Sequence, residues 1–481
     1  MRYLPPTALA LLAAVAYAVA AIFRHDRFGS NAYDLGIFDQ YVWSVSRFSL
    51  GPNTVLRLPT ALGDHFHPIV WTLAPLYWIW SDPRMLLGAQ AVLLAAASLP
   101  IFVWARERLG MPPAFAFQIA YLVFWGVLGG DIFDFHEVAF AAPIVSVALY
   151  ALLTRRDVLL VAITVLALLT KEDLALTFAA IGVYVAVVQR RWKFGGAIVA
   201  GCIAAFALLI KVVLPALADQ PYSHWSYTAL GSGPGSALKH LVAHPVDSVR
   251  TFFSPATKRN ALFNLFGTWL FLPLASPLLI VMVPTLAERF LSSTPSYWAQ
   301  GFHYSLVIAP MLAFAAIDTT ERIARLAPAW RPWLAYAAAG AVVLAGLAFT
   351  FHRIRPLDEL RREPSALAAS SIESCLRTIP PKASVSATSA LVPHISERRS
   401  VYQLDARPLP GTPWLALDTQ TWIFPLTLGD IGRIVDRSLA NGYGVRCSTP
   451  RTVVLARGLP RGRLNPALRS LLRKSERQAT S

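Results

Sequence analysis

Charge is scarce in this sequence. Only 15% of its 481 residues are Asp, Glu, Lys or Arg, against about a quarter in soluble domains. That scarcity excludes an ordinary soluble protein. The 55% share of hydrophobic residues, the 14 tryptophans and a mean hydropathy of +0.50 point to an integral membrane protein. Cysteine is nearly absent: Cys202, Cys375 and Cys447 show neither CxxC nor zinc-ligand spacing, so a zinc ribbon or dithiol centre is excluded. Cys375 and Cys447 could pair if their segment faces an oxidising compartment. Acids are outnumbered, 27 against 43 basic residues, for a net charge of +16. Nucleic acid is not the implied partner. The basic residues cluster in short segments between apolar runs, the positive-inside pattern of membrane proteins. The remainder lie in the C-terminal segment, whose tail RGRLNPALRSLLRKSERQ reads as solvated or as touching anionic lipid headgroups.

What is present in abundance is long apolar runs, nearly all before His352. The first, from Thr7 to Phe23, is longer than a signal-peptide core and reads as an uncleaved span. Further spans are expected at Arg84 to Trp104, Phe194 to Leu214, Ser305 to Ile317 with its flanks, and Trp333 to Phe351. The basic loops RERLG (106–110), TRRD (154–157) and QRRWK (189–193) should share the cytoplasmic face. The chain between each pair must then cross an even number of times. One hairpin turns at GGDIFDFHE (129–137), the next at KED (171–173), the latter with arms short for full spans. The total expected is about eleven spans, with the amino end inside and the carboxyl end outside, in a bacterial plasma membrane.

The expected division is a polytopic α-helical membrane domain, 1–351, with a large first outer loop, 24–83, and an extracytoplasmic soluble α/β domain, 352–481, ending in the basic tail. ASVSAT, SVYQL, WLALDT and RTVVLARG read as strands. IGRIVDRSLANGYGV reads as a helix stopped at Asn-Gly. This segment shows no internal repeat and no glycine-rich phosphate loop.

The topology collects the acids and histidines of the membrane part on the outer face. Ionisable groups at membrane depth are costly and usually functional. YDLGIFDQ (33–40) brings Asp34 and Asp39. Five residues apart, they point about 140° apart on a helix, so one can be catalytic while the other caps or pairs. GDHFHP brings Asp64, His65 and His67, a possible metal or phosphate site set against an interfacial polar turn. DFHE brings Asp134, His136 and Glu137, suited to proton transfer. KED brings Lys171 and Glu172 as functional candidates, with Asp173 read as part of a self-neutralising turn. Glu288, Arg289, Lys258 and His303 complete the face. The cations among them suit phosphate, while ERF could equally anchor a helix end. Tyr297, Trp298 and Tyr304 read as interfacial aromatics.

With YDLGIFDQ, GDHFHP, DFHE, KED and ERF in order along successive outer turns, the chain resembles the bacterial membrane family called domain of unknown function 2079. The resemblance extends to ASVSATSALVPHISERRSVYQL. That family's architecture is similar to the GT-C class of membrane glycosyltransferases. The resemblance implies a GT-C-like helical bundle, a first outer loop carrying an acidic catalytic residue, and a sugar donor linked to polyprenyl phosphate. The class's first-loop acid would fall on Asp34 or Asp39. Asp34 is followed by Leu35, so the adjacent acidic pair common in relatives is missing, which weakens a metal-binding role there. A divalent metal is compatible with the reading and no organic cofactor is expected. The implied partners are the lipid-linked sugar, a cell-envelope glycan or protein acceptor, and the bilayer. Two rival readings are a transporter or flippase for a lipid-linked molecule, and a non-catalytic scaffold. A transporter should place its polar residues near the midplane on interrupted helices.

Overall fold

The computed structural model describes residues 4–222, 224–405, 407 and 411–480, with the side chains of 476–480 outside the described set. Four helices are long and apolar enough to cross a membrane: Leu4–Asp26, Arg84–Leu109, Trp192–Ala218 and Pro328–Arg361. The pair Met111–Leu122 and Trp125–Phe133, bent by 40°, makes a fifth if taken as one span. Among the described residues four helices, or five with the bent pair, are thus long and apolar enough to cross, and the remaining expected spans fall on shorter apolar segments. The other apolar runs form helices of 10–17 residues.

By packing, the chain separates into two compact units. One holds the residues up to Ala18, His65–Val70 and Gly88–Asp358. The other holds Val19–Asp64, Trp71–Leu87 and the chain from Glu359 onward. Most of the first loop packs with the C-terminal segment.

The first unit is helical. Gly110, at φ +91°, ends Ser98–Leu109, and two prolines begin Met111–Leu122. Glycine stops and first-turn prolines are the favoured punctuation for such a junction. The basic loops gather at one end. Arg191 forks onto Asp157, with Nη1 2.8 Å from Oδ1. Gln189 donates to the Leu152 carbonyl at 2.8 Å, and Tyr150 donates to Glu107 at 3.2 Å. Arg108 pairs with Glu321 at 3.5 Å, and Arg331 donates to the Arg108 carbonyl at 3.2 Å. Because TRRD and QRRWK touch, the helices between them, Asp157–Leu168 and Leu174–Val187, run out and back. At 1.5 Å per residue they span only about 18 and 21 Å. The KED turn sits where they break.

The second unit is built on a five-stranded sheet in the order β2-β1-β3-β5-β4. Its strands are β1 (Val385–Ala387), β2 (Val401–Gln403), β3 (Trp414–Asp418), β4 (Tyr443–Ser448) and β5 (Thr452–Arg457). β1 runs parallel to β2 and β3, and β5 runs antiparallel to β3 and β4. The two-residue period of a strand sorts the side chains. Ala416 and Val454 face one apolar cluster; Leu415, Leu417, Val453 and Leu455 face another. The first cluster is completed by Ile372 and Leu376 and by Phe28, Ala32, Ile37 and Val55 of the first loop. Those four apolar residues explain why the loop joins this unit: the sheet gives them a face to bury against. The second cluster is closed by Ile431 and Val435 and by Leu468 and Leu472. Cys375 and Cys447 form a disulfide. The four expected strands and the helix are all present. β4 is the missed strand, since Gly444 and Arg446 interrupt any apolar alternation.

Candidate functional site

Within the first unit, four charged segments converge away from the basic loops. His65 Nδ1 lies 2.6 Å from Glu172 Oε1, and the Phe66 amide donates to Glu172 Oε2 at 3.1 Å. Lys171 Nζ lies 2.9 Å from Glu137 Oε1, and His136 Nδ1 lies 2.6 Å from Glu137 Oε2. These last two are charge contacts: neither Glu137 oxygen meets a donor at hydrogen-bond angles among the described residues. The His136 and His303 rings stack at 3.6 Å, and the His65 and His224 rings at 4.3 Å. Burial, and then the Asp173 charge, push the Glu288 carboxyl well above the usual range, and burial raises Asp173 as well.

The electrostatics follow from burial and pairing. Burial works to raise the Glu172 carboxyl, but His65 foremost, their hydrogen bond and Lys171 outweigh it and bring it down to about 2. Burial works against the Lys171 charge, yet Glu137 foremost, then Asp173 and Glu172, hold its pKa well above the usual lysine value. Burial first, then His136 and Lys171, keep His303 well below the ordinary histidine value, so it is a neutral imidazole. Its Nδ1 has no partner among the described residues. KED is thus neutralised partly within itself, through Asp173 and Glu172 on Lys171, and partly from other segments, through Glu137 on Lys171 and His65 on Glu172.

The turn carrying DFHE is held by a residue the motifs did not reveal. Gln90 donates to the carbonyls of Gly130, Asp131 and Asp134 at 3.3, 3.2 and 2.9 Å and accepts from the His136 amide at 3.0 Å. It is fully buried. The available signal was a lone glutamine within the apolar run RMLLGAQAVLLAA. Gly130 lets the same turn pack closely, since a Cβ there would lie 2.7 Å from Leu306 Cδ2. Asp134 and His67 are buried near-completely.

The two cations proposed for phosphate are differently employed. Lys258 donates to the carbonyls of Thr251, Phe290 and Ser292 at 2.9, 2.7 and 3.1 Å, using all three of its protons. Arg289 donates to the carbonyls of Tyr297 and Ala299 and to the Ser305 hydroxyl. Together they brace the chain around 290–305. Lys171 is the candidate cation that sits among the converging turns.

In the second unit YDLGIFDQ divides its two acids. Asp39 is fully buried, accepting from Tyr77 Oη at 2.5 Å and Ser396 Oγ at 2.6 Å. Burial, and then the Glu397 charge, push its carboxyl well above the usual range. Gln40 next to it donates to Thr54 Oγ1 and the Arg398 carbonyl at 2.8 and 3.0 Å and accepts from the Thr54 amide at 2.9 Å. These two residues fasten the first loop to the C-terminal segment. Asp34 is only half-buried and lies on a π-helical turn, Ala32–Gly36, a conformation frequent at functional sites. Gly36 meets the requirement for close approach: a Cβ there would lie 3.0 Å from Val392 Cγ1. Asp64 is also half-buried in this unit.

A family model described as a predicted membrane protein, DUF2079, matches residues 24–418. The chain belongs to this family. No curated protein matches it. Among solved structures, the DUF2079 protein is similar to ArnT from Cupriavidus metallidurans bound to undecaprenyl phosphate. The TM-score is 0.58 at 15% identity, over 94% of this chain and 97% of that one. The apo form of ArnT gives 0.57 at 14% identity with the same coverage. The DUF2079 protein thus has the ArnT-like, GT-C fold that the motif order implied. As for a metal, ligand nitrogens of His65 and His224 lie within 4.8 Å of each other. Glu172 fixes the His65 ring in the manner of a carboxylate behind a metal-bound histidine, so this pair could hold a divalent cation.

Proposed function

We propose that this DUF2079 protein is a membrane glycosyltransferase, moving a sugar from a polyprenyl-phosphate donor to a cell-envelope glycan or protein acceptor outside the cytoplasm. The observation that carries the reading is the shared fold with ArnT over nearly the whole chain, in a form bound to undecaprenyl phosphate. The Cys375–Cys447 disulfide supports an oxidising, extracytoplasmic setting for the second unit.

The chemistry requires a base for the acceptor hydroxyl and positive charge for the departing lipid phosphate. The sugar–phosphate bond breaks as the acceptor oxygen bonds to the sugar, and the hydroxyl proton passes to the base. In the second unit Asp34 is the candidate base, because Asp39 is enclosed by its two hydroxyl partners. In the first unit Lys171 supplies charge suited to a phosphate, with Glu137 holding it in place. A divalent cation on His65 and His224 would add positive charge at the phosphate. The test is transfer of labelled sugar from polyprenyl-phosphate donors by purified protein in lipid, beside Asp34→Asn. Loss of transfer with an unchanged melting temperature supports the reading. Full transfer by the variant removes Asp34 as base.

One observation favours transport instead. The bent pair Met111–Leu122 and Trp125–Phe133 is an interrupted helix. Within it, the fully buried Asp131 has no hydrogen-bond partner for either oxygen among the described residues. Broken helices and buried acids mark transport pathways. Flipping of a fluorescent polyprenyl phosphate that stops in Asp131→Asn, without sugar transfer by wild type, would make transport the function.

A further inference from the structure

The C-terminal domain carries a cleft that the transferase reading leaves without a role. It encloses about 1260 Å³ and is lined by Arg461 and Arg463 from the loop after β5 and by Arg469, Arg473 and Lys474 from the Pro466–Thr480 helix. Among the described residues Asp436 is the one acid on its wall. All five cations are exposed. Among the described residues none of them is ion-paired. Asp430, six residues before Asp436, is already bound to Arg433 and Thr427.

A solvated basic tail would scatter its charges around a helix. Here Leu468 and Leu472, four apart, are buried against the Leu428–Ala440 helix and the sheet. That apolar stripe fixes the rotation of the helix. Arg469 and Arg473 consequently occupy one row facing the loop that carries Arg461 and Arg463. Like charges at four-residue spacing repel on a helix, and five around one cleft lower its stability unless an anion joins them. Four guanidinium forks match phosphate oxygens in pairs better than they match isolated carboxylates.

We propose that this cleft is a binding site for a phosphate-rich anion, a diphosphate or a phosphate-bearing lipid headgroup. The proposal is independent of the transferase reading. It is tested with the full-length protein in neutral detergent, titrated with inorganic pyrophosphate and separately with short-chain phosphatidylglycerol. At least one probe binds. Its affinity falls about tenfold or more in Arg469→Ala/Arg473→Ala and again in Arg461→Ala/Arg463→Ala, as expected when charge-assisted bonds are removed. The melting temperature without ligand does not fall below that of wild type, because all four side chains are exposed and each substitution removes like-charge repulsion. Binding of pyrophosphate alone identifies a soluble phosphate as the source; binding of the lipid alone identifies the headgroup. Binding of neither probe by wild type overturns the site. So does affinity unchanged in both double variants, or lowered equally by Lys382→Ala, an exposed lysine outside the cleft.

Discussion

Both units bury acids, and they treat them differently. In the sheet-containing unit, Asp39 accepts from two hydroxyls and Gln40 beside it is bonded through both ends of its amide. In the helical unit, Glu137 is held by close charge contacts with a lysine and a histidine, and His303 Nδ1 has no hydrogen-bond partner among the described residues. A fully bonded polar network fixes a structure. A network held by charge, with acceptors and imidazoles left over, has capacity for a ligand. Burial alone therefore does not identify a functional acid; the state of its bonds does.

The sharpest way to break this contrast is a paired substitution in YDLGIFDQ. Asp34→Asn should lower sugar transfer by about 10²- to 10⁴-fold, the usual contribution of a general base, with an unchanged melting temperature. Asp39→Asn should lower the melting temperature, and its transfer per folded molecule should stay near wild type. The reverse pattern would exchange the two roles.

Removing the disulfide tests whether the units keep separate stability. With the cysteines 72 positions apart in sequence, Cys375→Ala/Cys447→Ala should cost the second unit about 4 kcal/mol. Hydrogen exchange should quicken in β3 and β5 while the Leu174–Val187 helix stays protected. Equal loosening of both would show that they unfold together.

Acid titration probes the charged network. Glu172 has a folded pKa of about 2 against a usual 4.5. A depressed carboxyl stabilises the fold fully above its unfolded value and loses that contribution as pH falls through the folded one. The melting temperature should therefore fall between about pH 4.5 and pH 2, and Glu172→Gln should flatten that decline. The smallest expected effect is Gln90→Leu. It leaves three carbonyls and the His136 amide without their partner, at about 1–3 kcal/mol. It should also weaken transfer by loosening His136 and Glu137, without changing the pH at which transfer is fastest.

Part of the site was legible in residue order. The even-crossing argument expected TRRD and QRRWK at one end of a hairpin with KED at its turn, and the Arg191–Asp157 pair brings those two loops together. The pairings themselves were not legible. Nothing within three consecutive residues says that Lys171 reaches Glu137 while Glu172 reaches His65. Nor did the sequence separate Asp34 from Asp39, because the partners of Asp39 are Tyr77 and Ser396, the latter 357 residues away.

Composition, apolar runs and basic loops by themselves determined a helical membrane protein with a C-terminal α/β segment, since hydropathy, loop charge and strand alternation are local properties. Tertiary structure alone decided that the first loop belongs to the C-terminal sheet, that Lys258 and Arg289 serve backbone carbonyls, and that Gln90 holds the DFHE turn. Each of those depends on which distant backbone or side chain a polar group finds when water is excluded, and a buried polar group must find one.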